Sequence, residues 1–263
     1  MVAEAATQIY YWLKATIVNQ SMHDLTEQAY LQSYNTKSYD TPLFSVDVAL
    51  FTLHEGKLKV LLVQRGNPPH QHYWALPGGF VDLTADPDIE TTARRKLRDK
   101  TGVDAPLLEQ VQTLGNAHRD PRGWSVTTLY MALIPYAPTA AFVDAVTDAG
   151  WWPLDEASEM ALAFDHTELI HLARERLRHK TAYTVLPLHV LPRPFTLSQL
   201  QRAFELLLGK PLEKKSFRRR ILNAELLEEV GTGTAEGGKG RPATLYIPSP
   251  GSEQHLFVRV FGD

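Results

Sequence analysis

The chain has 263 residues, a formal net charge of −3, a hydrophobic fraction of 44% and no cysteine. This composition is typical of a soluble globular protein, and the length allows two domains. Without cysteine the chain has no disulfides, no cysteine-ligated zinc and no thiol nucleophile, which fits a reducing compartment. No apolar run reaches the roughly 20 residues that a membrane-spanning helix needs, so we expect a cytoplasmic protein with no membrane partner.

Residues 1–40 are polar and weakly patterned, and we interpret them as an N-terminal extension. Their first part, MVAEAATQIYYWLKATIVNQ, differs from a signal peptide. It has no basic start, Gln8 and Lys14 interrupt its apolar stretch, and no clear cleavage site follows. Met22 is a second candidate for the natural start.

Residues 41–155 show strands around one helix, which predicts a single α+β domain. FSVDVALFTL (44–53) and KLKVLLVQR (57–65), joined by HEG, predict a hairpin. ALPGGFV, APLLEQVQTLG, GWSVTTLYMALI and AGWWP predict further strands. DPDIETTARRKLRDKTG predicts a helix that Asp86 or Asp88 caps and Gly102 ends.

Residues 156–248 predict three helices followed by a hairpin. The first two helices are SEMALAFDHTELIHLARERLRHK and TLSQLQRAFELLLG, the latter capped by Thr196 or Ser198 and ended by Gly209. KSFRRRILNAELLEEVG predicts the third helix, with Ser216 as its cap, and ATLYI predicts a closing strand. The proline-rich segment RLRHKTAYTVLPLHVLPRP is a candidate hinge, and residues 249–263 form a C-terminal tail.

The charge is unevenly distributed. Residues 187–247 contain 4 Lys and 6 Arg against 6 Glu and no Asp, a net charge of +4, so the rest of the chain carries −7. A basic segment on an acidic protein indicates a module that binds a polyanion.

The glycine pair of LPGGFVDL leads into a helix that carries an arginine, a pattern suited to diphosphate chemistry. Carboxylates at i, i+3 and i+4 share a helix face and hold Mg²⁺ ions that bridge a diphosphate and activate water. The Nudix box uses this geometry: G-x5-E-x7-R-E-U-x-E-E-x-G-U, where U is a bulky apolar residue. The sequence resembles the box at Gly79, Arg95, Leu97, Gly102 and Val103.

The resemblance is incomplete at the acids. The three downstream acid positions fall on Lys96, Asp99 and Lys100, and Gly79 and Arg95 are two residues further apart than in the box, so the first glutamate has no clean counterpart. Each lysine repels Mg²⁺ by several kcal/mol. We therefore expect a nucleotide to bind without being hydrolysed. We expect no catalytic residue, and Mg²⁺ binding is doubtful. Because Asp99 is still an acid, an active pyrophosphatase is one alternative interpretation. A site that binds no ligand is the other.

Other polar side chains could complete the pocket. Arg65 ends a strand, and HRDPRGW supplies two arginines for phosphates and a tryptophan for a base. For each of them a surface ion pair or a core position is the plainer interpretation. His70 and His72 lack a third ligand and predict no metal site. The candidate ligand-binding residues are Arg65, Gly78, Gly79, Arg95, Lys96, Asp99, Arg119, Arg122 and Trp124.

The order of helices and hairpin resembles a winged helix-turn-helix. Phe217, Ile221 and Ala224 share one face of its third helix and should be core, whereas Arg219 and Asn223 lie opposite. Arg and Asn are the side chains that read guanine and adenine edges. The candidate DNA-binding residues are Lys214, Lys215, Ser216, Arg218, Arg219, Arg220, Asn223, Lys239 and Arg241. A protein-interaction face and a single-stranded RNA site are the alternatives.

Together these motifs resemble the Nudix-related transcriptional regulators of NAD metabolism, the NrtR type. The resemblance covers about residues 36–248 and rests on YDTPLFSVDVALF, WALPGGFVD, RDPRGWSV, AFDH, GKPLEKKSFRRRI and GRPATLY, besides the two motifs above. It implies a Nudix-type sandwich of mixed sheet and helices followed by a winged helix. It also implies a homodimeric repressor that binds a palindromic operator in double-stranded DNA and releases it on binding ADP-ribose, with no cofactor required. Related regulators respond to pentose sugars, so the effector is less certain than the architecture.

Overall fold

The computed structural model describes Lys14 and residues 26–139, 145–233 and 242–261. Residues 1–41 and 42–263 form two separate compact units. In the first unit, residues 26–33 are helical and a 3₁₀ turn follows at Thr36–Ser38. The rings of Tyr30 and Tyr34 lie 5.5 Å apart and are exposed.

A mixed sheet forms the first half of the second unit. Its strands are β1 (Leu43–His54), β2 (Lys57–Arg65), β3 (Trp74–Ala75), β4 (Gly78–Phe80), β5 (Glu109–Asn116), β6 (Ser125–Leu133) and β7 (Val146–Pro153). The order is β3-β2-β1-β6-β5, with β4 on β1 and β7 on β2. Strand β1 pairs parallel with β6 and antiparallel with β2 and β4. This central strand is buried from Ser45 to Thr52, and it carries one charged side chain, Asp47, in that stretch.

Helices cover both faces of this sheet. Helix α1 (Ile89–Thr101) buries Ala93 and Leu97 against β1, where alternate residues such as Val48 face it. Asp88 caps the helix and Gly102 ends it in a left-handed conformation, as the sequence predicts. Helices α2 (Leu154–Glu159) and α3 (His166–Tyr183) belong to the core on the opposite face. The period-2 pattern of β1 thus divides its side chains between two layers.

The second half contains helices α4 (Leu197–Leu208) and α5 (Lys214–Asn223) and a sheet in the order β8-β10-β9. Its strands are β8 (Phe195–Thr196), β9 (Leu227–Gly233) and β10 (Ala243–Pro248). Thr196 forms a capping box with Gln199, and Gly209 ends α4. The two helices followed by a β-hairpin confirm the winged helix.

The structure corrects three local predictions and shows where the candidate hinge lies. The first predicted helix is interrupted at residues 160–165. Residues 227–231 of the ELLEEVG segment belong to strand β9, because they pair with β10. Helix α5 begins two residues before Ser216, and its cap is Glu213, whose carboxylate accepts from the amides of Lys215 and Ser216. The predicted hinge is packed: Leu177, Val185, Leu186, Leu188 and Val190 are all buried in the core that α3 shares with α4.

The C-terminal tail folds back onto this core. The amide of Phe257 donates to Tyr183 O and that of Phe261 to Ala182 O, at 2.8 and 2.7 Å. Both rings are buried, and Phe261 lies 4.8 Å from the ring of Phe204 on α4. Of the helices in the described part of the chain, none is both long enough and apolar enough to cross a membrane.

Candidate ligand pocket and nucleic-acid interface

A cavity of about 400 Å³ opens between β1, β2, β4, helix α1 and the start of α3. It is within the size range of small-molecule sites. Six of the nine predicted ligand-binding residues line it: Arg65, Gly78, Gly79, Lys96, Arg119 and Arg122. These residues come from four separate segments that only the fold brings together.

Buried polar groups form the floor of the cavity around Asp47. The Thr127 hydroxyl donates to this carboxylate at 2.7 Å, and an Arg119 nitrogen lies 3.7 Å from it. Arg119 in turn donates twice to Asp165, at 2.9 and 3.0 Å, and is 5% exposed. Asp47, Arg119 and Asp165 therefore each have an opposite charge close by, as buried charges require.

His166 closes the floor at the first residue of α3. Its Nδ1 accepts a 2.8 Å hydrogen bond from the amide of Leu76, so the proton is on Nε2, which lies 3.7 Å from Asp47. Burial lowers the pKa of His166, outweighing the opposite effect of Asp47 and Asp165. The imidazole is therefore neutral at physiological pH.

Two arginines form one wall. Arg122 binds Asp120 through two hydrogen bonds of 3.0 and 2.7 Å and stacks on Phe80 at 4.7 Å. Arg65 stacks on Phe164 at 4.8 Å and donates to a backbone carbonyl. Burial and the charge of Arg122 lower the pKa of Arg65, opposed by Asp120 and Asp47. The planar guanidinium groups leave donors for an anion in the cavity.

Lys96 and Lys100 form the wall on the side of α1, because a spacing of four residues puts them on one helix face. Burial lowers the pKa of both, and that of Lys100 falls to about 8. Arg65 and Lys96 also lower the Lys100 pKa, while Asp47 acts in the opposite direction. The two positions that should supply acids in a Nudix box thus supply amines to the cavity.

Three predicted residues lie elsewhere. Arg95 donates to both oxygens of Asp86, at 2.7 and 2.5 Å, and Asp99 lies 3.6 Å from Arg95 with 47% of its side chain exposed. This pairing holds the pKa of Asp86 well below its usual range. Trp124 is 52% exposed and lies against Gly115 instead of in the cavity.

Several cavity residues were missed by the sequence analysis. Asp47 had a signal, a lone charge within an apolar strand, and Lys100 was identified only as a lost acid. Phe164 and His166 lie in AFDH, which contributes to the family resemblance but did not by itself predict a ligand contact. The missed lining residues that carry the chemistry are Asp47, Phe80, Lys100, Asp120, Phe164 and His166.

The Mg²⁺ ions that the Nudix box implies do not fit these residues. Asp99, the one acid left at the three downstream positions of the box, is outside the cavity, and Asp47 and Asp120 are already engaged by Thr127 and Arg122. Hard divalent cations need several oxygen ligands. The donor set of this cavity therefore favours anions over cations.

The second site lies on helix α5. Lys214, Lys215, Ser216, Arg219 and Asn223 are exposed, while Phe217 and Ile221 are 2% and 1% exposed on the opposite face. The exposed and buried faces predicted for this helix are therefore the ones observed. Because Glu213 accepts from the amides of Lys215 and Ser216, these two amides are not available to an anion at this helix end.

The other arginines of this helix do not share the exposed face. Arg218 donates to the Ser198 hydroxyl at 3.1 Å, and Arg220 packs on the rings of Phe257 and Phe261. Both are half-buried. Lys239 and Arg241 lie outside the residues that the structure describes.

Two protein-family models match the chain: the NUDIX domain at residues 43–173 and the NrtR DNA-binding winged helix domain at residues 187–247. The ADPR responsive transcriptional repressor NtrR of Acinetobacter baylyi is 48% identical over 221 residues, which are 84% of this chain and 88% of that protein.

Solved structures match as well. Shewanella oneidensis NrtR complexed with a 27mer DNA is 48% identical with a TM-score of 0.75, covering 82% of this chain and 98% of that one. The NUDIX domain of Shewanella oneidensis NrtR complexed with ADP ribose is 50% identical with a TM-score of 0.56, covering 57% and 98%. The chain therefore belongs to the NrtR family of transcriptional regulators, which join a Nudix domain to a DNA-binding winged helix.

Proposed function

We propose that this chain represses genes of NAD synthesis or salvage and releases its operator when ADP-ribose binds the Nudix cavity. The observation that carries the proposal is one continuous core that joins a cationic cavity to a helix with exposed Arg219 and Asn223. An anion sensor and a base-reading helix are thus parts of one packed unit.

The cavity suits a nucleotide with a diphosphate. Five cationic side chains line it against two carboxylates, and the rings of Phe80 and Phe164 lie among them. Charged hydrogen bonds to Arg65 and Arg122 would hold the phosphates, and aromatic faces suit a base or a ribose. The relatives named for ADP-ribose support this nucleotide as the effector.

Helix α3 is the candidate connection between the two sites. Its first residue, His166, lies in the cavity floor, and its later residues Ala173 and Leu177 are buried in the core shared with α4. A ligand that binds more tightly to one position of α3 would therefore favour one placement of the winged helix. Residues 176–194, the candidate hinge of the sequence, are packed in this core, so helix α3 itself is proposed to carry the connection.

The operator is proposed to be a palindrome bound by a homodimer, because a two-fold dimer presents two copies of helix α5 to two half-sites. Arg219 and Asn223 would read bases, and Lys214 and Lys215 would contact the backbone. Lys239 and Arg241, which lie outside the described residues, are proposed as further DNA contacts.

The protein is proposed to bind ADP-ribose without hydrolysing it. Lys96 and Lys100 replace acids of the Nudix box and line the cavity, and the exposed Asp99 is paired with Arg95. With Lys96 and Lys100 at these positions, the cavity does not offer the several free oxygen ligands that a water-activating metal needs. A regulator of this type is expected in the cytoplasm.

The test is a mobility-shift titration with a palindromic duplex from the regulatory region of an NAD-synthesis or salvage gene of the same organism. Millimolar ADP-ribose should release the duplex, whereas AMP at the same concentration should not. The nucleotide recovered after incubation with Mg²⁺ or Mn²⁺ should be intact ADP-ribose. Unchanged DNA affinity with ADP-ribose would refute the effector, and rapid AMP formation would favour the pyrophosphatase.

A further inference from the structure

We propose that Lys96 and Lys100 replace the divalent cation of the Nudix site: their ammonium groups bind the ligand's diphosphate directly, so that binding needs no metal and excess Mg²⁺ weakens it. This inference rests on the proposed function for the nucleotide, but it concerns the diphosphate alone. Two ammonium groups carry the same +2 charge as one Mg²⁺ ion.

Lys100 is the first observation. Its side chain is half-buried at the cavity wall, with Asp47, Arg65 and Lys96 as its charged neighbours. Within the described residues its ammonium makes neither a hydrogen bond nor an ion pair. An ammonium that has no partner among these residues is available to an anion that enters the cavity. The structure thus places an available ammonium group at the cavity wall.

Lys96 is the second observation, because the glycine turn makes room for it. A Cβ atom on Gly79 would lie 3.3 Å from Cδ and Cε of Lys96 and 3.5 Å from its Nζ. Gly79 also has φ +150°, which side chains rarely adopt. The glycine that leads the Nudix box therefore gives the lysine its path to the cavity.

The charges of the cavity decide between a metal and an anion. Arg65, Lys96, Lys100, Arg119 and Arg122 stand against Asp47 and Asp120, a net charge of +3 with His166 neutral. A divalent cation would be repelled by this excess, whereas a diphosphate would neutralise most of it. Mg²⁺ in solution also binds the free nucleotide's diphosphate, and this complex presents less negative charge to the lysines.

The direct experiment is calorimetric titration of the full chain with ADP-ribose, once with a chelator and once with millimolar Mg²⁺. We expect binding in the chelator and weaker binding with Mg²⁺. Lys100→Gln and Lys96→Gln should each weaken binding by about tenfold or more, because each removes a charged hydrogen bond. The matched control is Lys57→Gln, which removes an exposed lysine outside this cavity and should change nothing.

A charge-reversal variant sharpens the test. Lys96→Glu combined with Lys100→Glu should abolish binding in the chelator and make any binding depend on Mn²⁺. If wild-type binding requires Mg²⁺, or if the single glutamine variants bind as tightly as wild type, the proposal is overturned.

A second ligand separates this proposal from the effector's identity. Inorganic diphosphate is titrated under the same two conditions. If diphosphate binds without metal through both lysines and ADP-ribose does not bind, the effector assignment fails and the lysine proposal stands. If neither ligand binds in the chelator, the lysine proposal fails.

Discussion

The guanidinium of Arg220 stacks on the ring of Phe261, with its central carbon 3.8 Å from the ring centroid. A second ring, Phe257, lies 4.7 Å away, and Nη1 donates to Val260 O at 3.0 Å. The contact joins helix α5 to the C-terminal tail, which is itself bound to the end of α3. Arg220 therefore holds the helix in place, although its sequence position suggests a DNA contact.

Replacing Arg220 with Ala should lower the free energy of unfolding by about 1–3 kcal/mol, because a cation–π contact and a hydrogen bond are lost. Urea denaturation measures this change. Arg219→Ala is the control, since this neighbouring side chain is exposed and its loss should leave stability within about 0.5 kcal/mol. Equal stability of the two variants would contradict the structural role of Arg220.

Replacing Arg219 with Ala should weaken operator binding by roughly 1–3 kcal/mol, the range for a two-pronged contact to a base. The loss should be largest for the operator and smaller for unrelated duplex, because a base contact carries specificity. Fluorescence anisotropy with both duplexes measures it. Arg98→Ala removes an exposed arginine from helix α1 and should leave DNA affinity unchanged. A uniform loss on both duplexes would make Arg219 a phosphate contact.

Local sequence patterns predicted most elements of the fold. Helix caps at Asp88 and Thr196 and left-handed ends at Gly102 and Gly209 depend on neighbouring residues, so the sequence contains them directly. Strand β9 was predicted as helix because Glu and Leu favour helices, and its pairing with a distant strand decides the outcome.

The cavity was less predictable because its residues are distant in sequence. Asp47 and His166 are separated by more than a hundred positions, and neither belongs to the Nudix box. The box did predict Gly79 and Lys96, which line the cavity. It did not predict the hydrogen bonds from Arg95 to Asp86, since the segment between Gly79 and Arg95 is longer than in the motif.

Replacing Asp165 with Ala should destabilise the chain by about 3–5 kcal/mol, because Arg119 would remain buried without its two-pronged partner. Urea denaturation again gives the value. Asp155→Ala is the matched control: its carboxylate is 88% exposed and only 3.4 Å from Arg174, so its loss should cost less than about 0.5 kcal/mol. A small effect at Asp165 would mean that Asp47 alone compensates Arg119.

Affinity for a diphosphate ligand should fall as the pH rises above about 8, the pKa of Lys100. Burial and the charges of Arg65 and Lys96 lower this pKa against the effect of Asp47, and a bound anion raises it again because it favours the ammonium. The affinity for the diphosphate is therefore highest at pH values below the pKa that Lys100 has in the ligand-free protein.

Above this pKa the ligand must bind together with a proton, so affinity should fall by up to about tenfold per pH unit. His166 is neutral throughout this range because burial lowers its pKa, and Arg65 stays charged. Calorimetry from about pH 7 to about pH 9.5 measures the slope. Lys100→Gln should bind more weakly at neutral pH and flatten the profile. An equally steep fall in this variant would assign the proton to Lys96.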